Sequence, residues 1–435
     1  MMAMPAKNNS FLRIDGGRPL HGTIAASGNK NAALPMLAAC LLTEQPVTLE
    51  NLPEIGDVTT MLKIAETLGC TVEHKPEQRS ATVTARRVSS SNLPPELASQ
   101  LRAGVLFAAP MLHRTGRAAM PPPGGDVIGR RRLDPHLQGL VAMGAKIEFD
   151  RELSFQADQR LQGADVFLTE ASVTGTEQLM LAAVLAQGQT VIRNAACEPH
   201  VQNLGEMLIS MGARIEGNGT PTLVVEGVES LHGTCCRVGS DYAEAGSFIA
   251  FAAATGGEIT VTDIVPDHYR MTAEVFRQLG IELEFGRDRV RVGADQKRTV
   301  CHDFGGGIPV IDDGVWPQFP SDLMSVCIVL ATQVRGTVLF FEKMYESRMY
   351  FVDRLIAMGA NAVICDPHRV VVIGPAKLHP IELSSPDIRA GIALLGGALC
   401  ARGESIVRNV HLIDRGYQNI ELKLQQLGAR ISREE

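Results

Sequence analysis

Residues 198–216 read EPHVQNLGEMLISMGARIE, an amphipathic segment that ends in MGA at 211–213 and continues into the alternating RIE at 214–216. Apolar residues recur every three or four positions up to the glycine, and this spacing indicates a helix. A glycine directly after a helix favours a left-handed terminal residue. The alternation that follows is typical of a strand. This stretch therefore predicts a helix, a glycine stop and a strand.

The same element, a bulky residue followed by glycine and a small or apolar residue, occurs six times in the 435 residues. The glycines stand 75, 68, 68, 79 and 69 residues apart, and a near-constant period indicates one structural unit used repeatedly. The six copies are Leu68-Gly69-Cys70, Met143-Gly144-Ala145, Met211-Gly212-Ala213, Leu279-Gly280-Ile281, Met358-Gly359-Ala360 and Leu427-Gly428-Ala429.

A second and more apolar kind of helix alternates with the first. A helix that is apolar nearly all round is buried on all sides, and these segments are too short to cross a membrane. We therefore expect them in the protein interior. They are residues 30–42, 102–112, 175–186, 244–255, 322–332 and 387–401.

Together these patterns predict an α/β fold of two inside-out α/β barrel domains. Each domain would contain three repeated units, with the buried helices parallel to one another and short sheets wrapped around them. The first domain is predicted at residues 30–239 and carries a Pro/Gly-rich loop at 121–132. The second is predicted to combine residues 1–29 with 240–435.

Composition narrows the possible partners and location. A net charge of -7 argues against a general nucleic-acid binder. No apolar run is long enough to span a membrane, and residues 1–10 lack the apolar core of a signal peptide. The nine cysteines contain no CxxC pair and read as reduced residues of a cytoplasmic protein. The spacing of histidines and cysteines does not indicate a metal site.

Three features point to an anionic ligand. Lys30 begins a buried helix, where the positive end of the helix dipole disfavours a lysine unless an anion is bound nearby. The loop at 121–132 reads PPPGGDVIGRRR, and its clustered arginines fit a phosphate or carboxylate. Arg415 is expected at the start of the last amphipathic helix, predicted at residues 415–427.

Several motifs resemble those of the enolpyruvyl transferases. They are SGNKNAALPMLAACLL at 27–42, the glycine-rich loop, PSD at 320–322, DIRA at 387–390 and HLIDRGY at 411–417. The resemblance runs from about residue 11 to residue 432 in one order. It is closest to the branch of the family whose acceptor is UDP-N-acetylglucosamine, and the fold of that family is the pair of inside-out domains inferred above.

The resemblance implies transfer of the enolpyruvyl group of phosphoenolpyruvate to the 3-hydroxyl of UDP-N-acetylglucosamine, with release of phosphate. This is the first committed step of peptidoglycan synthesis, and it implies no metal, no cofactor and no obligate protein partner. By motif, Lys30, Arg131 and Arg415 would bind phosphoenolpyruvate, and Asp322 would be the base toward the hydroxyl. The other implied substrate-binding residues are Asn31, Arg102, Asp134, Ser172, Val173, Met344 and Arg348, with Asp387 and Arg389 near the reacting centre.

Asp126 stands where most members of the family carry a cysteine that donates a proton or acts in product release. To donate a proton near neutral pH, Asp126 would need a pKa raised by desolvation, whereas the neighbouring arginines would lower that pKa. The sequence leaves open which effect is larger.

Fosfomycin alkylates the loop cysteine in relatives, so we expect this protein, with Asp126 in that place, to resist the drug. Turnover in the presence of fosfomycin should match turnover without it. The Asp126→Cys variant is the matched control and should become sensitive. Covalent labelling of the loop in the unaltered protein, seen by mass spectrometry, would contradict the expectation.

Departures from the family pattern cluster around the acceptor. They include Arg132 in place of a proline, SDYAEAG at 240–246 and the segment YESR at 345–348. Two alternatives therefore stay open beside the peptidoglycan enzyme. One is a related transferase that acts on another acceptor, such as a nucleotide, and the other is a binding protein without turnover.

Overall fold

The computed structural model describes residues 10–125, 129 and 131–435. Most of these residues fall into two compact units, as judged by the contacts between them. The first unit contains residues 27–125 and 131–239, and the second contains residues 10–26 and 240–435. Each unit has its own hydrophobic core. The domain boundaries at 29/30 and 239/240 stay a prediction, and the contact grouping places residues 27–29 with the first unit.

Strands and helices are numbered in chain order over the described residues. Strands β1–β23 are Phe11–Gly16, His21–Ala25, Val47–Glu50, Thr71–Lys75, Ser80–Thr84, Arg117–Met120, Lys146–Phe149, Leu153–Gln156, Asp165–Phe167, Gln189–Arg193, Arg214–Glu216, Thr222–Glu226, Cys235–Arg237, Glu258–Thr262, Leu283–Phe285, Arg289–Val292, Val310–Asp312, Gly336–Phe341, Asn361–Asp366, Arg369–Gly374, Glu382–Ser384, Gly403–Arg408 and Arg430–Glu434. Helices α1–α14 are Lys30–Ala39, Gly56–Thr67, Pro95–Ala98, Ala108–Thr115, Asp134–Ala142, Val173–Ala183, Pro199–Ser210, Tyr242–Thr255, Arg270–Gln278, Ser321–Ala331, Val352–Ala357, Ile388–Cys400, Val410–Ile413 and Ile420–Gln426.

Six small sheets are formed by the described residues, three in each unit, and five of them share one arrangement. An edge strand pairs in parallel with the first central strand. The first central strand pairs antiparallel with a second central strand, and the second pairs antiparallel with the other edge strand. These sheets are β13-β3-β5-β4, β9-β10-β12-β11, β2-β14-β16-β15, β17-β18-β20-β19 and β21-β22-β1-β23. The sixth, β6-β8-β7, has only a single parallel bridge, Asn92 to Ala119, where the others have a parallel edge strand.

The repeat predicted from the glycines is confirmed. All six adopt the left-handed conformation, with φ between 71° and 102°. In each copy the glycine N–H donates to the carbonyl three residues earlier, and the next N–H donates to the carbonyl five residues before it, as Gly212 and Ala213 do with Ile209 and Leu208. This geometry closes the exposed end of a helix and redirects the chain.

The helices predicted to be buried form the interior. In the second unit, α8, α10 and α12 pack against one another, and nearly every residue of the three is buried. In the first unit, α1, α6 and the segment from Arg102 to Thr115 take the same place. Strands such as β10 and β14 alternate buried with more exposed residues, so each such sheet covers the helices with one face. The predicted fold class is therefore confirmed.

Two details differ from the sequence prediction. Residues 102–112 were expected to form one α-helix, but Arg102–Phe107 is a 3-10 helix and the α-helix begins at Ala108. Arg415 was placed at the start of the last amphipathic helix, but that helix begins at Ile420. The reason is local, because Asn419 is left-handed with φ 46° and interrupts any helix that would run from Arg415.

Two of the repeat glycines allow a matched stability test in the second unit. A Cβ added to Gly280 would lie 2.5 Å from the carbonyl oxygen of Thr299, whereas a Cβ on Gly428 would meet nothing within 4 Å. Gly428→Ala should cost about 1 kcal/mol, from the left-handed backbone alone. Gly280→Ala should cost about 3 kcal/mol, because backbone strain and overpacking act together. Urea unfolding of both variants checks this, and equal losses would contradict it.

In the described part of the chain, no helix has both the length and the apolar character needed to cross a membrane.

Candidate active site

The first unit brings Lys30 together with an acidic residue that the sequence did not single out. Lys30 is the first residue of α1, and its Nζ lies 2.7 Å from Oδ2 of Asp57, in the first turn of α2. The two side chains are only 12% and 7% exposed. An aspartate at this place offsets the positive helix end that makes Lys30 unfavourable. Asn31 follows Lys30, and the side chain of Asn29 caps α1 by accepting from the N–H of Ala32.

Arg102 connects to the chain that follows the glycine-rich loop. Its guanidinium donates to the carbonyl oxygens of Arg131, at 3.2 Å, and Arg132, at 2.7 Å. Arg132 in turn forms an ion pair with Asp134, which begins α5. Three of the predicted ligand-binding residues, Arg102, Arg131 and Asp134, therefore lie in one connected cluster. Asp126 lies outside the described residues.

The N-terminus of α6 lies beside α5. Ser172 caps α6 by accepting from the N–H of Gly175 at 3.2 Å, and Val173 is the first helical residue. The ring of His136, on α5, is 3.0 Å from the hydroxyl of Thr174. Burial lowers the pKa of His136 to about 3, and the charges of Arg102 and Arg131 lower it in the same direction. His136 is therefore neutral at pH 7 and supports the helix ends as a hydrogen-bonding group.

In the second unit, Asp322 lies between two guanidinium groups. It stands in the first turn of α10, and its Oδ1 accepts from Arg348 at 2.9 Å while its Oδ2 accepts from Arg389 at 2.6 Å. Burial alone would raise the pKa of Asp322, but the charges of Arg389 and Arg348 outweigh burial and hold that pKa well below its usual range. Asp322 is thus a charged acceptor at neutral pH.

Arg389 is itself held by a tyrosine that the sequence analysis did not assign to the site. It donates to the hydroxyl of Tyr417 at 3.1 Å and lies 5.7 Å from the centre of that ring. Tyr417 is also hydrogen-bonded to Ser247, on α8, at 2.9 Å. Asp387 caps α12 by accepting from the N–H groups of residues 389 and 390. The three buried helices of the second unit therefore each contribute to one polar network.

The remaining predicted site residues of the second unit lie on loops. Arg415 is in the turn between α13 and α14, two residues before Tyr417. Met344 follows β18, and its side chain is partly exposed. Arg348 lies further along the same loop, 4.6 Å from the ring centre of Tyr345. The structure thus joins Asp322, Arg348 and Arg389 directly and places Met344 on the loop that carries Arg348.

Comparison with known proteins identifies the family. Residues 14–424 match the family model described as EPSP synthase (3-phosphoshikimate 1-carboxyvinyltransferase). The chain belongs to this family of enolpyruvyl transferases. Among curated enolpyruvyl transferases, the chain is 52% identical to a protein of Treponema denticola over 97% of this chain and 99% of that one. It is 49% identical to a protein of Treponema pallidum over 98% and 100%. Both relatives are named UDP-N-acetylglucosamine 1-carboxyvinyltransferase.

A solved enolpyruvyl transferase has the same fold. The crystal structure of the enolpyruvyl transferase NikO from Streptomyces tendae superposes with a TM-score of 0.87 and covers 98% of this chain and 99% of its own. At 23% identity this likeness concerns the fold alone. Within the described residues, no group of three or more potential ligand side chains could hold a metal ion.

Proposed function

We propose that this enolpyruvyl transferase moves the enolpyruvyl group of phosphoenolpyruvate to the 3-hydroxyl of UDP-N-acetylglucosamine. The product is an enolpyruvyl UDP-sugar, and inorganic phosphate leaves. One observation carries the proposal: relatives that share 52% and 49% of residues over nearly the whole chain have the name of this activity. The chain therefore belongs at the first committed step of peptidoglycan synthesis.

In this proposal Asp322 accepts the proton of the sugar hydroxyl as that oxygen bonds to C2 of phosphoenolpyruvate. Both oxygens of Asp322 accept from guanidinium groups, which makes it charged but weakly basic. A substrate anion that attracts Arg389 or Arg348 away from Asp322 would raise its basicity. The base would then become effective only with the anionic substrates bound.

The cationic residues would bind the anions. We propose that Lys30, Arg131 and Arg415 bind the phosphate and carboxylate of phosphoenolpyruvate and stabilise the departing phosphate. Asp126 would donate the proton that adds to C3, and removal of a C3 proton with loss of phosphate would restore the double bond. The position of Lys30 supports its role in binding an anion. It is held beside the N-terminus of α1, where unpaired N–H groups also favour an anion.

The acceptor would be bound by several of the predicted site residues. We propose this role for Asn31, Arg102, Asp134, Ser172, Val173, Met344 and Arg348, with Asp387 and Arg389 near the reacting centre. The N-termini of α1 and α6 offer N–H groups to the diphosphate. The Nε of Arg348 is buried and donates to no described group.

We also propose a cytoplasmic location. All nine cysteines are free, which is typical of proteins in a reducing compartment. The expectations of no obligate protein partner and no nucleic-acid partner stay predictions.

The test is phosphate release from phosphoenolpyruvate with UDP-N-acetylglucosamine, with the nucleotide product identified by mass spectrometry. A product heavier than the acceptor by one enolpyruvyl group would support the proposal. Parallel reactions with 3-phosphoshikimate and with free nucleotides test other acceptors. Phosphate release with one of those alone would replace the proposed acceptor, and no release with any of them would favour a binding protein.

A further inference from the structure

Two buried carboxyl groups lie side by side beneath the loop that carries Arg348. Strands β17 and β18 pair in parallel with Asp312 opposite Phe341. The residue that directly follows each strand is acidic, Asp313 after β17 and Glu342 after β18, and both are fully buried. The N–H of Asp313 donates to the carbonyl oxygen of Phe341 at 3.4 Å, which places the two acidic residues next to each other. The register of two adjacent strands therefore creates an acid pair that the proposed reaction does not use.

The pair binds the backbone of the following loop. Oδ1 of Asp313 accepts from the N–H of Lys343 at 2.5 Å. Oε1 of Glu342 accepts from the N–H groups of Met344, at 3.2 Å, and Tyr345, at 3.1 Å. Three successive N–H groups at the start of the loop are thus held by two side chains. A buried carboxyl that accepts several N–H groups fixes the path of the chain, because each unpaired N–H would be costly.

Glu342 also contacts the start of α10. The hydroxyl of Ser321 lies 2.9 and 2.8 Å from its two carboxyl oxygens. The carbonyl of Ser321 accepts from Arg348 at 2.9 Å, and the same guanidinium donates to Asp322. Glu342 therefore contacts the start of the loop and also Ser321, whose carbonyl accepts from Arg348.

The unpartnered Oδ2 of Asp313 favours a proton between the two acids. Oδ2 of Asp313 is buried, and no N–H or hydroxyl group of the described residues donates a hydrogen bond to it. A proton on Glu342 would supply that donor, and two adjacent ionised carboxylates would repel each other. Burial raises the pKa of Glu342 to about 9, with Asp313 acting in the same direction and Arg348 opposing it.

Other charged groups near the pair are already engaged. Lys343 forms an ion pair with Asp312. The ring of His368, in the turn between β19 and β20, bonds to the backbone carbonyl of Glu342 at 2.7 Å rather than to its carboxyl. Arg348 is held by Asp322 and by the carbonyl of Ser321.

We propose that Glu342, with a proton shared with Asp313, is a positioning residue that holds the segment Lys343–Arg348 in the shape required to bind the acceptor. The proposal rests on the proposed function, because it assigns the acceptor to Arg348 and Met344. Glu342 touches no substrate in this account. It acts through the loop backbone and through Ser321.

Glu342→Gln and Glu342→Ala form the central comparison. Glutamine can donate to Asp313 and accept from the loop N–H groups, as the protonated acid does, so Glu342→Gln should behave like the unaltered enzyme at pH 7. Glu342→Ala removes these bonds, and the KM for UDP-N-acetylglucosamine should rise about tenfold, with the KM for phosphoenolpyruvate within about twofold. Glu284→Gln, which removes an exposed glutamate paired with Arg291, is the matched control and should change neither constant.

The pH profile adds a readout that a merely structural role would not move. In the unaltered enzyme the acceptor KM should rise as the pH approaches 9, because Glu342 then loses its proton. In Glu342→Gln that rise should be absent. The folded-state pKa of Glu342 lies above its value of 4.5 in the unfolded chain. The stabilisation that protonated Glu342 gives to the folded state is therefore complete below pH 4.5 and is lost as the pH rises toward 9. Relative to the unaltered enzyme, Glu342→Gln should become more stable across that range.

Three results would overturn the proposal: equal acceptor KM values in Glu342→Ala and the unaltered enzyme, Glu342→Gln as impaired as Glu342→Ala, or the same alkaline rise in Glu342→Gln. Infrared spectroscopy gives a readout without turnover, because the part of the protonated carboxyl band at pH 7 that comes from Glu342 should be lost in Glu342→Gln. If the unaltered enzyme releases no phosphate while that band is present, the proposed function fails and the shared proton stands.

Discussion

Asp322→Asn should lower kcat about 1000-fold, because the substitution removes the carboxylate proposed as the base toward the acceptor hydroxyl. It also leaves Arg348 and Arg389 without their shared counter-charge, since each donates to one oxygen of Asp322. We expect a loss of about 3 kcal/mol in the free energy of unfolding from these two largely buried cations. Steady-state kinetics and urea unfolding measure the two effects separately.

Asp267→Asn is the control for loss of one aspartate from the same unit. Asp267 is exposed and forms an ion pair with Arg270 at 2.7 Å, so its substitution should change stability by less than about 0.5 kcal/mol and leave kcat unchanged.

The low pKa of Asp322 also limits how the pH dependence of activity is interpreted. In the free enzyme Asp322 stays ionised on acidification to pH 5, so a loss of kcat/KM between pH 7 and pH 5 must come from another group. A kcat in Asp322→Asn within threefold of the unaltered enzyme would exclude the base role.

Lys30→Met should lower kcat/KM for phosphoenolpyruvate about 1000-fold, because one preorganised charge on a developing phosphate contributes roughly this much. Methionine keeps the length of the side chain and removes its charge. Stability should fall by only about 1 kcal/mol, because the carboxylate of Asp57 remains favourable in the first turn of α2. Phosphate release at varied phosphoenolpyruvate concentrations is the measurement.

Asp57→Asn and Lys63→Met complete that comparison. Asp57→Asn leaves the ammonium of Lys30 beside a positive helix end, so it should reduce stability more than Lys30→Met does. Lys63 is an exposed residue on α2, and its substitution should have no effect on either quantity. Unchanged kcat/KM in Lys30→Met would remove Lys30 from the proposed phosphate site.

The repeated architecture was predictable because its signals are local. A glycine that must be left-handed and a helix that is apolar all round are both visible in short windows of sequence, and all six glycines have the predicted conformation. The missing edge strand of the sheet β6-β8-β7 was not predictable, because strand pairing depends on residues far apart in the chain. The late start of α14 followed from one left-handed residue, Asn419, which the apolar spacing does not reveal.

Part of the candidate site was also predictable from local signals in the sequence. Lys30, Asp322 and Arg389 are at helix starts, so the motif and the helix prediction identify them together. Their partners Asp57 and Tyr417 lie further along the same repeats, and only the packing of the chain brings them into contact. Glu342 and Asp313 were missed although both follow strands, because a buried acid pair depends on the register between β17 and β18.

The pairing of the first two strands has a consequence for the order in which the protein can form during synthesis. The strands of residues 27–239 pair only with one another, so this part can complete its sheets before residues 240–435 are synthesised. In contrast, β1 waits for β22 and β23, and β2 waits for β14. Strands β1 and β2 are therefore synthesised before residues 27–239 but pair after them, and their open edges must avoid wrong partners in the interval.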